Sequence, residues 1–218
     1  MDDAVIEPEA GTAPSDSSGG DADTFARLLF ADVPPEDLAA FDGTGRAGLA
    51  AAAHRRLAAA RKPGEPVVAL TDTAVEQGGR PRDLTVLDVV NDDMPYLLDS
   101  TLAELVARGH EPLLVAHPIL AVVRAQDGAL ARVLGEAEGG LPEGASRESF
   151  IHIHLHRLDD GEARDGLVEG LRRIYADVTA VHRDKEAMAA QLAGLADDYR
   201  TNPPPQLDRL SDGLTAKG

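Results

Sequence analysis

Cysteine is absent from the 218 residues. That absence removes disulfides, thiolate nucleophiles and Cys-ligated zinc or iron–sulfur sites together, and it fits a reducing compartment. Tryptophan is absent too, and there are only three Tyr and four Phe, so a core has to be built mainly from Leu, Val, Ile and Ala. Bases are scarce beside acids, 21 against 38, for a formal net charge of −17. Phosphate binding needs clustered Lys and Arg, and an anionic membrane surface makes the same demand, so neither nucleic acid nor membrane is an expected partner. No apolar run approaches the ~20 residues of a membrane span. Met1, Asp2 and Asp3 open the chain without the basic start of a secretory signal, which makes cytoplasm the expected location.

What is present divides the chain by composition and period. Residues 1–21 are rich in Gly, Ser, Pro, Ala and acids, too poor in apolar surface to offset ordering entropy, and read as a disordered acidic tail. Residues 22–64 read as N-terminal helices. Phe25, Leu28, Leu29 and Phe30 form one patch, and "PPEDLAAF" opens a short helix. Leu49, Ala53 and Leu57 then recur at i, i+4, i+8 until Pro63–Gly64 stops the helix. The period changes at 65. "PVVAL" (66–70) and "LTVLDVV" (84–90) are β-branched runs separated by Gly78, Gly79 and Pro81. "MPYLLDSTLAELVARG" (94–109) is amphipathic, with Leu98, Leu102 and Leu105 on one face and Gly109 as its stop. A long apolar stretch (112–123) turns at Asp127–Gly128 into 129–134, and "SFIHIHLHRL" (149–158) is a further strand. From 162 the pattern is helical again, and the Pro-rich 201–218 reads as a linker.

This order predicts an α+β domain over 65–200, an antiparallel sheet of ferredoxin-like type with helices on one face, preceded by the helical segment. One strand departs from the usual alternation. Between 113 and 123 both parities are apolar, Leu113, Val115, Ile119 and Val123 alongside Leu114, Ala116, Leu120 and Val122. A strand with one wet face alternates, so this one is expected to be dry on both sides. Its second cover could be the N-terminal helices, a second subunit or another domain.

Three patterns bear on function. "GTGRAG" (43–48) matches the dinucleotide fingerprint letter for letter. It follows a helical pattern rather than a strand, so it reads as a loop between two helices. His152, His154 and His156 alternate and share one face of a strand, opposite Ile151, Ile153 and Leu155. They suit an interface, a pH-sensitive contact or, as the alternative, a metal-binding module for which His117 could supply another ligand. Asp92 and Asp93, with Asp99 further on, suggest either acid–base or Mg²⁺ chemistry or capping of the following helix, and capping suits at least one of the pair. No P-loop, H-E-x-x-H motif or Ser-His-Asp signature accompanies them, so no catalytic residue is assigned.

At "VVNDDMPYLLDSTLAELVARG" (89–109) the chain resembles the first ACT-like domain of the large bacterial NAD-dependent glutamate dehydrogenases. His117–Pro118, "RESFIHIHLHRL", "PPEDLAAFD" and "ARKPG" extend the resemblance over roughly 22–200. It implies a much longer parent enzyme that deaminates L-glutamate oxidatively to 2-oxoglutarate and ammonia. NAD and the catalytic lysine would lie downstream, and this piece would have no cofactor or activity of its own. It also implies a regulatory or assembly role, with self-association, contact with downstream domains or a small amino-acid effector. Asn91, Asp92, Asp93 and Tyr96 would form the effector or contact site, and His152, His154 and His156 an interface. ACT domains carry Gly between their first strand and first helix. Tyr96 stands in that place here, which would obstruct the usual effector pocket and favour protein contact.

Overall fold

The computed structural model describes residues 18–39, 43–77 and 80–202. They fall into two compact units, dividing between Ala176 and Asp177. Most of the expected acidic tail and nearly all of the Pro-rich segment lie outside the described residues. Ser18 to Asp21, however, already belong to a helix.

The first unit opens with α1 (Ser18–Leu29), α2 (Pro35–Ala39) and α3 (Gly43–Ala58). Phe25 and Leu29 lie one turn apart on α1, and Leu49, Ala50, Ala53 and Leu57 line α3, all of them buried. "GTGRAG" forms the opening of α3 itself rather than a loop. Among the described residues the element before it is the helix α2 and not a strand, which is not the context of a dinucleotide turn.

β1 (Val67–Gln77) and β2 (Arg80–Asp92) pair antiparallel from Val67↔Val90 to Gln77↔Arg80. Both run longer than their apolar runs, because the hairpin's far end is polar. Pro81 is tolerated in β2 because β6 begins to pair only at Leu84, so its missing N–H leaves no central ladder broken. After α4 (Leu97–Ala107) come β3 (Pro112–Ala116), β4 (Ile119–Arg124), β5 (Leu130–Glu136), β6 (Ala145–His156) and α5 (Gly161–Thr201).

The stretch read as one strand over 112–123 is therefore two. Both halves pair with β6 in one register, Ala116↔His152 and Ile119↔Ser149. The interruption falls at His117–Pro118, where proline has no N–H to donate, although the Pro118 carbonyl still accepts from the Phe150 N–H at 3.1 Å. The sheet order is β1-β2-β6-β4-β5, with β3 continuing β4's edge along β6. β1 thus occupies the outer edge of β2, where the last strand of a ferredoxin-like sheet would pair.

Two helical layers enclose this sheet. Leu84, Val86, Val90, Leu114, Ala116, Leu120, Val122 and Phe150 form one cluster with the buried faces of α1 and α3. The opposite parity, including Leu87, Val89, Ile151, Ile153 and Leu155, is also buried, on the side of α4 and the start of α5. There Leu97, Thr101 and Leu105 of α4 and Leu167, Leu171 and Tyr175 of α5 are buried. The buried line of α4 is rotated from the Leu98–Leu102–Leu105 face. Thr101 sits at its centre, bonding the Leu97 carbonyl at 2.7 Å and the Tyr175 hydroxyl at 2.6 Å. Along β3 and β4 the two parities differ. Leu114, Ala116, Leu120 and Val122 are buried in the cluster with the N-terminal helices, which supply that cover. Leu113, Val115, Ile119 and Val123 are only half-buried, so the strand is dry on one face and not on both as its sequence predicts.

α4 ends as its glycine predicted. Gly109 has φ 75°, its N–H bonds the Val106 carbonyl, and the His110 N–H bonds the Leu105 carbonyl, the paired closure of a Schellman motif. In the second unit, α5 continues from Asp177 as helix through the "VTAV" segment and on to Thr201.

Candidate functional site at the strand–helix junction

β2 ends in Asn91 and Asp92, and α4 starts at Leu97. The connection is pinned to β6: the Asp93 N–H donates to the Arg147 carbonyl at 3.1 Å, prolonging the ladder by one residue. Asn91 is 1% exposed. Its Oδ1 accepts from the Asp92 N–H at 2.9 Å, while its Nδ2 has no hydrogen-bond partner. A buried donor left unmade costs about 1–3 kcal/mol, so this amide is poised for an acceptor. Ser149 is its register partner on β6, and the Ser149 Oγ lies 2.7 Å from His117 Nε2. Burial lowers the pKa of His117, against the opposing pull of the Asp93 and Asp99 carboxylates.

Tyr96 is the N-terminal flanking residue of α4, at φ 72° and ψ 5° with no side-chain cap. Among the described residues it is the one non-glycine with positive φ, which L side chains resist by roughly 1–2 kcal/mol. The residue is 69% exposed. The backbone here has the conformation that glycine takes easily, and Tyr96 holds it with its ring turned to solvent.

Asp92 and Asp93 do not cap α4. Asp92 instead pairs with Arg61 and accepts from the Gly64 N–H at 2.6 Å. Arg61 also reaches Glu148 at 3.2 Å, and Arg124 grips both Glu148 oxygens at 2.7 Å. The Arg124 guanidinium further donates to the carbonyls of Leu57, Ala59 and Gly128. It thereby satisfies carbonyls at the end of α3 that have no partner within the helix. Arg61 and Glu148 are buried. This clamp fastens the end of α3 to β2, β4 and β6 beside a cleft of about 640 Å³ bordered by Lys62, Gln126, Asp127 and Arg147. With Glu148 bonded on both oxygens, the arrangement is structural rather than acid–base. The sequence reading missed it, since Arg61 and Glu148 stand 87 residues apart. The available signal was a Glu inside an apolar strand, which must meet a cation when buried.

The histidines are placed otherwise than an outward ladder requires. His152 and His154 are buried, and only His156 is exposed. They lie on the face toward the N-terminal helices, where Phe30 meets His152 edge-on at 5.9 Å. His152 Nδ1 lies 2.7 Å from Asp88 Oδ1, and its Nε2 lies 2.9 Å from His154 Nε2. Burial first, and then the neighbouring His152, push the pKa of His154 down to about 3. His156 instead lies near Arg82, 3.5 Å from its guanidinium. These two inner histidines are thus interior groups of this chain and do not form an interface face. Among the described residues no group of three or more His, Cys, Asp or Glu is disposed to hold a metal ion, and His117 is engaged with Ser149.

A split β-α-β around an antiparallel sheet, with a strained strand–helix junction, defines an ACT-like α+β module. A profile of the family "Glutamate dehydrogenase, ACT1 domain" matches residues 25–171, and the chain belongs to that family. The chain is 30% identical over 86% of its length to the NAD-specific glutamate dehydrogenase of Halomonas elongata. It is 30% identical over 69% of its length to that of Mycobacterium tuberculosis, and 25% identical over 58% to that of Pseudomonas aeruginosa. The matched regions are 12%, 9% and 8% of those relatives, so the chain spans only a small part of their length. No described helix is long and apolar enough to cross a membrane.

Proposed function

We propose that this chain is a non-catalytic regulatory and assembly module of an NAD-specific glutamate dehydrogenase. In that reading the parent enzyme carries out oxidative deamination of L-glutamate, and NAD binds elsewhere in it. The working surface is the junction from Asn91 to Tyr96. The observation that carries this is Tyr96: an exposed aromatic ring held in a backbone conformation that costs free energy. The ring's exposure means that it adds little to the core. An aromatic with a polar tip is well suited to anchor a contact with another protein surface. Self-contact and contact with further domains of the same polypeptide both fit.

A second reading, a small amino-acid effector, is favoured by one specific feature. The unpartnered Asn91 Nδ2 would meet a carboxylate or carbonyl oxygen. The two readings separate cleanly. Isothermal calorimetry with a panel of amino acids should give heat for the effector reading, abolished in Asn91→Leu. Absence of heat with every amino acid removes the effector reading. Tyr96→Ala in the complete enzyme should change its sedimentation or its glutamate saturation curve. If both are unchanged, the junction is not the working surface.

A further inference from the structure

The second unit carries a feature that the junction does not use. From Asp177 the described residues form an unbroken stretch of α5, and its large apolar side chains are not buried. Val181, Met188, Leu192, Leu195 and Tyr199 are each between 52% and 67% exposed. Their spacing is 7, 4, 3 and 4 residues. With Val178 and Lys185 they complete an alternation of threes and fours, the repeat of a coiled-coil seam. In heptad terms Val178, Lys185, Leu192 and Tyr199 take position a, and Val181, Met188 and Leu195 take position d.

We infer that residues 178–199 form a two-stranded, parallel, in-register coiled coil with a second copy of this chain. The flanking charges select that occupant. The g positions are Asp177, Asp184, Gln191 and Asp198, and the e positions are His182, Ala189 and Ala196. In a parallel pair each g faces the next e of the other helix. Asp177 then meets His182, while Asp184 and Gln191 meet small alanines, and Lys185 at a lies beside Asp184 of the second copy. In an antiparallel pair g faces g, which would set Asp177 against Asp198 and leave Asp184 opposite Gln191, with no cation for either acid. A lone Lys at a also lowers stability while fixing register and strand number. Just over three heptads is near the shortest run that sustains such a pair.

This inference deepens the assembly part of the proposed function by naming a partner and a surface, and it rests on that reading. The 218-residue chain has no cysteine, so single cysteines report cleanly. Leu195→Cys, at d, should form an intermolecular disulfide under mild oxidation, whereas Ala190→Cys, on the outer f position, should not. Sedimentation equilibrium should show a dimer. Leu192→Asp with Leu195→Asp should weaken it at least about 100-fold, since four apolar side chains leave the interface. Because both leucines are exposed, thermal unfolding of the sheet should not move. A monomer up to about 100 μM, or equal cross-linking at both positions, would overturn the seam. A dimer that survives the double substitution but dissociates in Tyr96→Ala would also overturn it, while leaving assembly through the junction standing.

Discussion

Acid should weaken this fold before its carboxylates titrate, and His154 sets the size of the effect. In the folded chain its pKa is held at about 3, while in the unfolded chain it returns to the ordinary value near 6.5. Below about pH 6.5 the unfolded state therefore binds a proton that the folded state refuses. A base with a depressed folded pKa makes stability fall as pH falls through this window, and the loss levels off only near the folded value. From about pH 7.5 to pH 5 the loss is about 2 kcal/mol for this one group. At this chain length that corresponds to a Tm lower by roughly 4–8 °C. Burial lowers the pKa of His54 and His117 as well, so the whole protein should lose at least this much. Staying above pH 5 keeps most carboxylate titration out of the comparison. The assay is urea unfolding followed by circular dichroism across that range for the parent and for His154→Gln, whose amide can still bond His152. The variant should lose about one proton's worth of slope. Equal slopes in the two proteins would refute the burial argument.

Three other perturbations test separate links of the structure. Arg61→Ala leaves Glu148 buried with one cation and frees Asp92, so the urea midpoint should fall by the equivalent of about 3 kcal/mol, the low end for a broken buried pair. No fall would mean that the clamp does not hold α3. Gly128 has φ 85°, and a Cβ there would run into the Arg61 backbone carbonyl. Gly128→Ala should therefore destabilise by about 2 kcal/mol or more, against a few tenths if the turn could simply move. Tyr96→Gly removes the left-handed strain at the cost of a more flexible unfolded chain. It should raise stability by about 0.5–1 kcal/mol in the same unfolding assay while weakening any contact made by the ring.

Much of this architecture could be read from residue order, and the failures have physical causes. The switch of period at residue 65, the Asp127–Gly128 turn and the Gly109 stop all rest on local chemistry. The doubly apolar stretch at 113–123 announced a second cover, but three candidates satisfied that pattern equally. Only the packing of Phe25, Leu29, Leu49, Ala53 and Leu57 against the sheet distinguished the N-terminal helices. Alternation placed the three histidines on one face correctly, yet it could not say whether that face was wet. The cover of N-terminal helices that buries Leu120 and Val122 of β4 also buries His152 and His154. Asp92 looked like a helix cap because caps are local. Its actual partner, Arg61, is 31 residues away, a pairing that no local rule reaches. The Tyr96 position was visible through the family resemblance alone, and its left-handed backbone explains why glycine would be at ease there.

The central claim is that this region acts by contact and not by chemistry. The most direct measurement compares the complete dehydrogenase with a form lacking the residues through Thr201, by sedimentation velocity and by initial rates at saturating glutamate and NAD. Expected is an altered assembly or an altered response to effectors, with the chemical step retained at each active site. A truncated enzyme that keeps its assembly and its responses, or one that keeps its assembly but loses the chemical step, would contradict the claim.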